Sequence, residues 1–335
     1  MRVAETIVND FNAVIIHENT VLDRHIIDKL ILLKEFEKIK IYDDPDIRIE
    51  NNTVEAVQKD YEENRGKMKE VMHDIVTGKS VDMSVINDVS DSMLKRGDNA
   101  LGVLSCLNQI RVADEYLYSH SLNVSIICML TAKWLNYSEE AVRDILQAGL
   151  LHDIGKCRIP AEILNKPARL TSEEFAEMKK HPYYGYKILE KTPDVKETTK
   201  LAALSHHEKE NGGGYPFGVK SERIHPFGKI CAVADIYDAM TSNRVYHQKI
   251  SPFEVFSLLE NEEFGSLDPS IILTFVKNLA GYYIGDRVRL SNGDMGVVAY
   301  INPLAVPRPI IRTDSQQTID LNEPENKELT ILELC

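Results

Sequence analysis

The sequence predicts a mainly α-helical fold with a small α/β module near its N-terminus and a small β appendage near its C-terminus. Three observations predict this class. Apolar residues recur at helical spacing in one segment after another between residues 99 and 283. Short alternating apolar segments precede that region, and others flank an Asn-Gly pair after it. We expect four units: an α/β module at 1–50, a partly helical connector at 51–98, a helical bundle at 99–283 and the β appendage at 284–335.

The elements follow from local patterns. Residues 3–16 alternate in polarity around an Asn-Asp turn and predict short strands, whereas residues 21–39 have helical spacing. Residues 51–98 are polar and charged, with only weak helical periodicity between Val54 and Ile75. In the central region the periodicity predicts helices over 101–111, 115–135, 138–152, 172–191, 195–207 and 227–242.

Two further signals mark element ends. Thr171 and Glu174 form a capping box at the start of the helix over 172–191, and Pro182 should break that helix just after His181. The Asn292-Gly293 pair predicts a hairpin in the β appendage.

Composition narrows the class of protein. The chain carries 39 basic and 52 acidic residues, a net charge of −13, which argues against a nucleic-acid polymer as partner. The five cysteines are scattered without CxxC spacing, as expected for free thiols in a reducing cytoplasm. The apolar segment 116–132 is short and contains polar residues, so we expect a buried helix, no membrane partner and a cytoplasmic location.

Histidines and aspartates supply the chemistry. Five histidines lie at or near predicted helix ends or on apolar faces: His120, His152, His181, His206 and His207. Asp153 and Asp235 lie in equally apolar surroundings. Burying these groups is costly unless something pairs with them, and a divalent cation would do so.

The number of donors favours two ions rather than one. Imidazoles with carboxylates suit zinc, iron or manganese, and the absence of cysteine argues against a closed structural zinc site. Two ions bridged by one carboxylate fit the seven candidates. Such sites are typical of phosphate-ester hydrolysis, because the ions activate a water and neutralise phosphoryl charge.

Several segments together resemble the HD superfamily of metal-dependent phosphohydrolases, in its HD-GYP branch. They are 118-YSHSLNV-124, 150-LLHDIGK-156, 179-KKHPYYGYKIL-189, 206-HHEKENGGGYP-216 and 232-AVADIYDAMTSNRVY-246. The resemblance covers residues 114–260. It implies an all-helical catalytic domain that hydrolyses cyclic di-GMP to linear pGpG, and further to GMP, at two or three iron or manganese ions.

The resemblance also implies roles for single residues. It assigns as metal ligands His120, His152, Asp153, His181, His206, His207 and Asp235. Asp153 would bridge the ions and Lys156 would stabilise the phosphate or the leaving oxygen. Arg244 would hold substrate phosphate, and Gly214 with Tyr215 would form the loop where substrate or a signalling partner protein arrives.

Three positions depart from the family pattern. Tyr116 occupies the place of a glutamate found in trinuclear members, which favours two ions. Asn211 replaces the usual aspartate before the glycines, and His247 replaces a second basic residue.

Two alternatives and one open point remain from the sequence. One is an HD phosphohydrolase for another cyclic dinucleotide, such as cyclic GMP-AMP, or for a nucleotide. The other is a receptor that binds a cyclic dinucleotide without cleaving it. The sequence leaves a homodimer open.

Overall fold

The computed structural model describes residues 2–11, 14–16, 18, 20, 22, 26–27, 30–31, 39–42, 54–96, 104, 116–242, 249–261 and 266–335. Within these residues, helices predominate between 54 and 281, and strands lie before and after them. The predicted mainly α fold with small β-containing flanks is therefore confirmed. The predicted helices over 21–39 and 101–111 lie largely outside the described residues.

The helices have the following bounds: α1 Val54–Val76, α2 Met83–Arg96, α3 Tyr116–Trp134, α4 Glu139–Leu151, α5 Ala161–Leu164, α6 Ser172–Met178, α7 His181–Glu190, α8 Glu197–Ser205, α9 Pro226–Thr241, α10 Pro252–Asn261 and α11 Pro269–Gly281. Short 3-10 turns cover Ile154–Arg158, Ser221–Arg223 and Pro324–Asn326.

The segment predicted as a partly helical connector forms two long helices, α1 and α2. Apolar side chains on one face of α1 are buried, among them Met68 and Ile75, and α2 buries Ile86 and Val89. Both helices pack against the central helices. The many charged residues on their opposite faces lower the mean hydropathy, which explains why the periodicity looked weak. The proposed domain boundaries stay predictions.

Helix α3 lies at the centre of the bundle and is buried on nearly all sides between residues 119 and 132. It packs against α1, α4, α9 and α11. Helix α4 begins at Ser138, whose side chain accepts a hydrogen bond from the Ala141 amide. A Cβ at Gly149 would lie 2.6 Å from the Cα of Ser125, so only glycine lets α3 and α4 approach this closely.

The region 172–191 contains a helix break, and the sequence predicted the end of the first helix three residues too late. The capping box of Thr171 and Glu174 is present at the start of α6, as predicted. However, α6 ends at Met178, and α7 begins at His181 with Pro182 in its first turn. A proline is tolerated there because first-turn amides have no partner within the helix. The break therefore makes His181 a helix start rather than a helix end.

The β elements form small antiparallel sheets. Strand β1 (Arg2–Val3) pairs with β4 (Ile41–Tyr42), and β2 (Ile7–Val8) pairs with β3 (Val14–Ile16).

The C-terminal sheet has the order β8-β7-β6-β5-β9. Its strands are β5 Arg287–Leu290, β6 Met295–Tyr300, β7 Ile310–Thr313, β8 Thr318–Asp320 and β9 Ile331–Leu334. The predicted hairpin connects β5 and β6, with Gly293 at a φ of 91°. Among the described residues, no helix is both long enough and apolar enough to cross a membrane.

Candidate metal centre

The structure brings all seven predicted ligands to one place in the helical bundle. Their ligand atoms form two groups, each with its atoms within 4.8 Å of one another: Asp153, His181, His206 and His207; and His120, His152 and Asp235. The seven side chains come from the ends or inner faces of five helices. His120 lies on α3 and Asp235 on α9, whereas the remaining residues begin α7 or follow α4 and α8 directly.

Asp153 lies between the two groups. Its Oδ1 is 3.2 Å from Nε2 of His181, and its Oδ2 is 3.3 Å from Nε2 of His152. The Nε2 atom of His120 is 3.5 Å from the same Oδ2. Because each oxygen faces a different group, this carboxylate has the placement that a bridging ligand requires.

Backbone carbonyls set the tautomer of three of the histidines. The Nδ1 atoms of His152, His181 and His206 lie 2.7, 2.9 and 2.9 Å from the carbonyl oxygens of the residues three positions earlier. A carbonyl oxygen only accepts, so each Nδ1 carries the proton and donates it. In the neutral ring, Nε2 is then the nitrogen with a lone pair toward the centre, which is the form that binds a metal.

His120 uses a carboxylate instead of a carbonyl. Its Nδ1 lies 2.7 Å from Oδ2 of Asp238. The other oxygen of Asp238, Oδ1, accepts hydrogen bonds from the Asn123 amide at 2.8 Å and the Ser242 hydroxyl at 3.1 Å. Asp238 and Asn123 were not among the residues predicted from the sequence. A signal was present, because each lies three residues after a predicted ligand on the same helix, and therefore on the same face.

Burial keeps two of the imidazoles, His206 and His207, neutral. Desolvation, with a smaller effect of neighbouring imidazoles, lowers the pKa of His206 well below its usual range. Desolvation also lowers the pKa of His207 to about 3. Neutral imidazoles have the free lone pairs that a metal ion needs.

The two carboxylates remain ionised although they are buried. Burial by itself would raise the pKa of Asp153, but Lys156 and the surrounding histidines hold it well below its usual range. Burial would likewise raise the pKa of Asp235, and its contacts with His120 and His207 lower it. The Lys156 ammonium forms an ion pair with Oδ2 of Asp153.

The donor set fits divalent cations. Nε2 of His152 and Oδ1 of Asp153 are buried and have no hydrogen-bond partner, which is costly in a protein interior. Nitrogen and carboxylate oxygen atoms converge there, and the described cysteine nearest in sequence, Cys157, points its Sγ toward Met72 instead. A set of neutral imidazoles and ionised carboxylates matches first-row divalent metals.

The predicted substrate loop closes over one side of the centre. The Tyr215 ring stacks on His207, with centroids 4.6 Å apart and planes at 29°. A Cβ at Gly214 would lie 2.4 Å from the carbonyl oxygen of His207, so this position admits only glycine.

Two polar side chains organise this loop. Glu208 accepts hydrogen bonds from the amides of Phe217 and Val219, at 2.7 and 3.0 Å. Asn211 accepts from the Gly213 amide at 2.8 Å, a role that the family's usual aspartate can also fill.

The predicted phosphate contact Arg244, and the off-pattern His247, lie outside the described residues. Lys166 pairs with Glu174 at the start of α6.

Comparisons with known proteins agree with this geometry. The family described as "HD domain" matches residues 104–271, half of the chain. A cyclic di-GMP phosphodiesterase of Pseudomonas aeruginosa is 35% identical over 232 residues, which cover 68% of this chain and 55% of the relative. A 3′3′-cGAMP-specific phosphodiesterase of Vibrio cholerae is 31% identical over 177 residues, which cover 52% of this chain and 41% of the relative.

A solved structure shows the same fold. An HDG"Y"P protein from Bdellovibrio bacteriovorus aligns with a TM-score of 0.56 at 16% identity, covering 83% of this chain and 95% of that one. The chain spans about half the length of the curated relatives it matches. With its matched domain and its clustered histidines and aspartates, the chain belongs to the HD-domain family, in the HD-GYP branch.

Proposed function

We propose that this chain is a metal-dependent phosphodiesterase that opens a cyclic dinucleotide, with cyclic di-GMP as substrate and linear pGpG, then GMP, as products. One observation carries the proposal: two groups of ligand atoms meet at Asp153, whose two oxygens face different groups. The cyclic di-GMP phosphodiesterase of P. aeruginosa, 35% identical over the matched residues, supports the choice of substrate.

The proposal assigns the ligands as follows. His120, His152 and Asp235 hold one ion, His181, His206 and His207 hold the other, and Asp153 contacts both. Iron or manganese suits these donors. When bound, such ions supply an activated water and neutralise charge on phosphoryl oxygens.

The chain's own residues prepare the site for a phosphate anion. Lys156 is 21% exposed, whereas its partner Asp153 is 1% exposed, so the ammonium lies on the open side of the carboxylate. In this position it stabilises negative charge that develops on the phosphate or the leaving oxygen. Tyr215 stacks on one face of the His207 ring, and its neighbour Gly214 keeps the loop close. Arg244 is proposed as a further phosphate contact.

The same loop supports a proposed protein partner. Phe217, one residue after the Gly214-Tyr215-Pro216 triplet, is 61% exposed, which suits a signalling protein that docks at this loop. A homodimer stays a prediction from the sequence.

A second substrate has specific support. The V. cholerae relative that is 31% identical acts on 3′3′-cGAMP, which differs from cyclic di-GMP in one base. We therefore retain 3′3′-cGAMP as an alternative substrate for the same site.

Anaerobically purified protein, loaded with Fe(II) or Mn(II), tests the proposal. Metal content would be measured first, and cyclic di-GMP, 3′3′-cGAMP and pGpG would then be assayed separately by chromatography of the products. We expect two ions per chain, and release of pGpG that Asp153→Ala abolishes. Tight binding of cyclic di-GMP without turnover in the loaded protein would instead favour a receptor. Turnover by Asp153→Ala would show that the ligand assignment is wrong.

A further inference from the structure

We propose that Tyr61, on α1, is a positioning residue for His120, and that α1 is thereby part of the metal centre. The inference rests on the proposed metal centre, but Tyr61 and α1 lie outside the part of the chain that matches the HD domain, 104–271. A continuous chain of hydrogen bonds between buried side chains carries it.

These hydrogen bonds join α1, α3 and α9. The Tyr61 hydroxyl lies 2.7 Å from Oδ1 of Asn123, and the Asn123 amide nitrogen lies 2.8 Å from Oδ1 of Asp238. The other Asp238 oxygen lies 2.7 Å from Nδ1 of His120. All four residues are buried, with at most 5% of their surface exposed. Interactions of this kind are strong in such surroundings because little water competes for them.

The direction of each hydrogen bond is determined by chemistry. The Asp238 carboxylate only accepts, so Asn123 must point its NH₂ group toward it. The Asn123 oxygen then faces Tyr61, whose hydroxyl donates. This hydroxyl is 3.3 Å from the Ser119 carbonyl, considerably farther than from Asn123. The donors thus run in one direction from Tyr61 to Asp238.

The hydrogen bond between His120 and Asp238 determines which nitrogen of His120 is free to bind a metal. With both oxygens of Asp238 engaged, one of them accepts a hydrogen bond from Nδ1–H of His120, and Nε2 keeps its lone pair. That Nε2 lies 3.1 Å from Oδ1 of Asp235, in the group proposed to hold the first ion. Without Tyr61, Asn123 loses the contact that holds its amide in the donating orientation. Asp238 and His120 are then held less firmly.

A second contact ties α1 to the other side of the site. The Sγ of Cys157 lies 3.4 Å from the Sδ of Met72 on α1. Cys157 lies in the 3-10 turn that directly follows Asp153, so α1 also packs against the segment that places this carboxylate. Through these two separate contacts, α1 supports the proposed metal centre and is more than a connector between domains.

The test compares variants that remove one group each. Tyr61→Phe removes only the hydroxyl. Asn123→Ala interrupts the series of hydrogen bonds at its centre, and the double variant combines the two substitutions. The control is Tyr283→Phe, which removes another buried hydroxyl. That hydroxyl lies 2.5 Å from the hydroxyl of Tyr237 and does not belong to the hydrogen bonds that connect Tyr61 with His120.

Titration of metal-free protein with Mn(II) and the downfield Nδ1–H resonance of His120 in ¹⁵N-histidine-labelled protein are the readouts. We expect Tyr61→Phe to lower the affinity for one of the two Mn(II) ions about threefold to tenfold, the effect of losing one hydrogen bond. The other ion should bind as in the unmodified chain, and the resonance should broaden or shift. Asn123→Ala should have the larger effect, and the double variant should match it.

The outcomes separate this inference from the proposed function. If the unmodified protein binds no metal, both the proposed function and the role of Tyr61 are wrong. An unmodified chain that binds two ions and cleaves cyclic di-GMP, with a Tyr61→Phe variant identical in affinity and resonance, overturns the role of Tyr61 alone. Independent, additive effects of the two substitutions on affinity, or an equal loss in Tyr283→Phe, would show a general packing role and would also overturn it.

Discussion

Lys156 and Asp153 form an ion pair across one turn of backbone, with the carboxylate buried and the ammonium partly open to solvent. The pair helps to hold the pKa of Asp153 well below its usual range even though burial opposes this. It also places a positive charge at the edge of the proposed metal centre.

The first prediction concerns this charge. Lys156→Met should lower kcat for cyclic di-GMP about 100-fold, because the developing phosphate charge loses its preorganised cation. Metal content should remain at two ions per chain, since no proposed ligand changes. Arg158→Met is the matched control, because Arg158 is an exposed cation of the same 3-10 turn. A loss of metal in Lys156→Met, measured by elemental analysis, would contradict a purely electrostatic role.

The second prediction concerns Asp238. Each of its two oxygens accepts a hydrogen bond, from Asn123 and from His120, and an amide offers only one acceptor oxygen. Asp238→Asn should therefore lower the binding affinity for the ion near His120 by about 10- to 100-fold, the usual effect of losing a partner that orients a ligand. Calorimetric titration should then show one tight site and one weak site.

Ser242→Ala is the control for that experiment. It removes only the 3.1 Å hydroxyl contact to Asp238 and leaves the His120 contact in place. Equal losses in both variants would indicate that Asp238 serves packing rather than the orientation of His120.

The third prediction concerns Glu208, which accepts from two loop amides while 97% of its surface is buried. Glu208→Gln has one acceptor oxygen, so one amide loses its partner at a cost of about 1–3 kcal/mol. Proteolysis within residues 211–218 should become faster, and urea unfolding should occur at lower concentration. Metal content should stay unchanged, and Glu222→Gln, an exposed neighbour, should behave as the unmodified chain does.

The fourth prediction concerns Gly155. A Cβ at this position would lie 1.9 Å from the carbonyl oxygen of His181 and 2.4 Å from the amide nitrogen of Gly185. Both are backbone atoms, so Gly155→Ala must move α7 and with it His181. We expect a loss of at least about 2 kcal/mol in the free energy of unfolding, together with weaker metal binding.

Gly281→Ala is the matched control, because no atom lies within 4 Å of its added Cβ. It should be neutral or stabilise the helix by up to about 1 kcal/mol. A Gly155→Ala variant with unchanged melting temperature and metal affinity would show that α7 accommodates the methyl group without displacing His181.

The sequence allowed the seven proposed ligands to be named, but it missed their supports. His152 and Asp153 were recognisable because a polar pair at the end of an apolar helix is unusual in one local segment. Asp238 was less visible because its role depends on His120, 118 positions away. The sequence also placed the helix break after His181 rather than before it, since a proline fits both a helix end and a first turn.

Sequence by itself determined the helical class, the hairpin at Asn292-Gly293 and the chemical identity of the donors, because residue type and periodicity are local properties. Tertiary structure alone decided that Asp153 lies between two groups, that four Nε2 atoms turn inward, and that α1 reaches His120 through Tyr61. These relationships depend on distances of about 3 Å between helices far apart in the chain. Only the packing of those helices sets such distances.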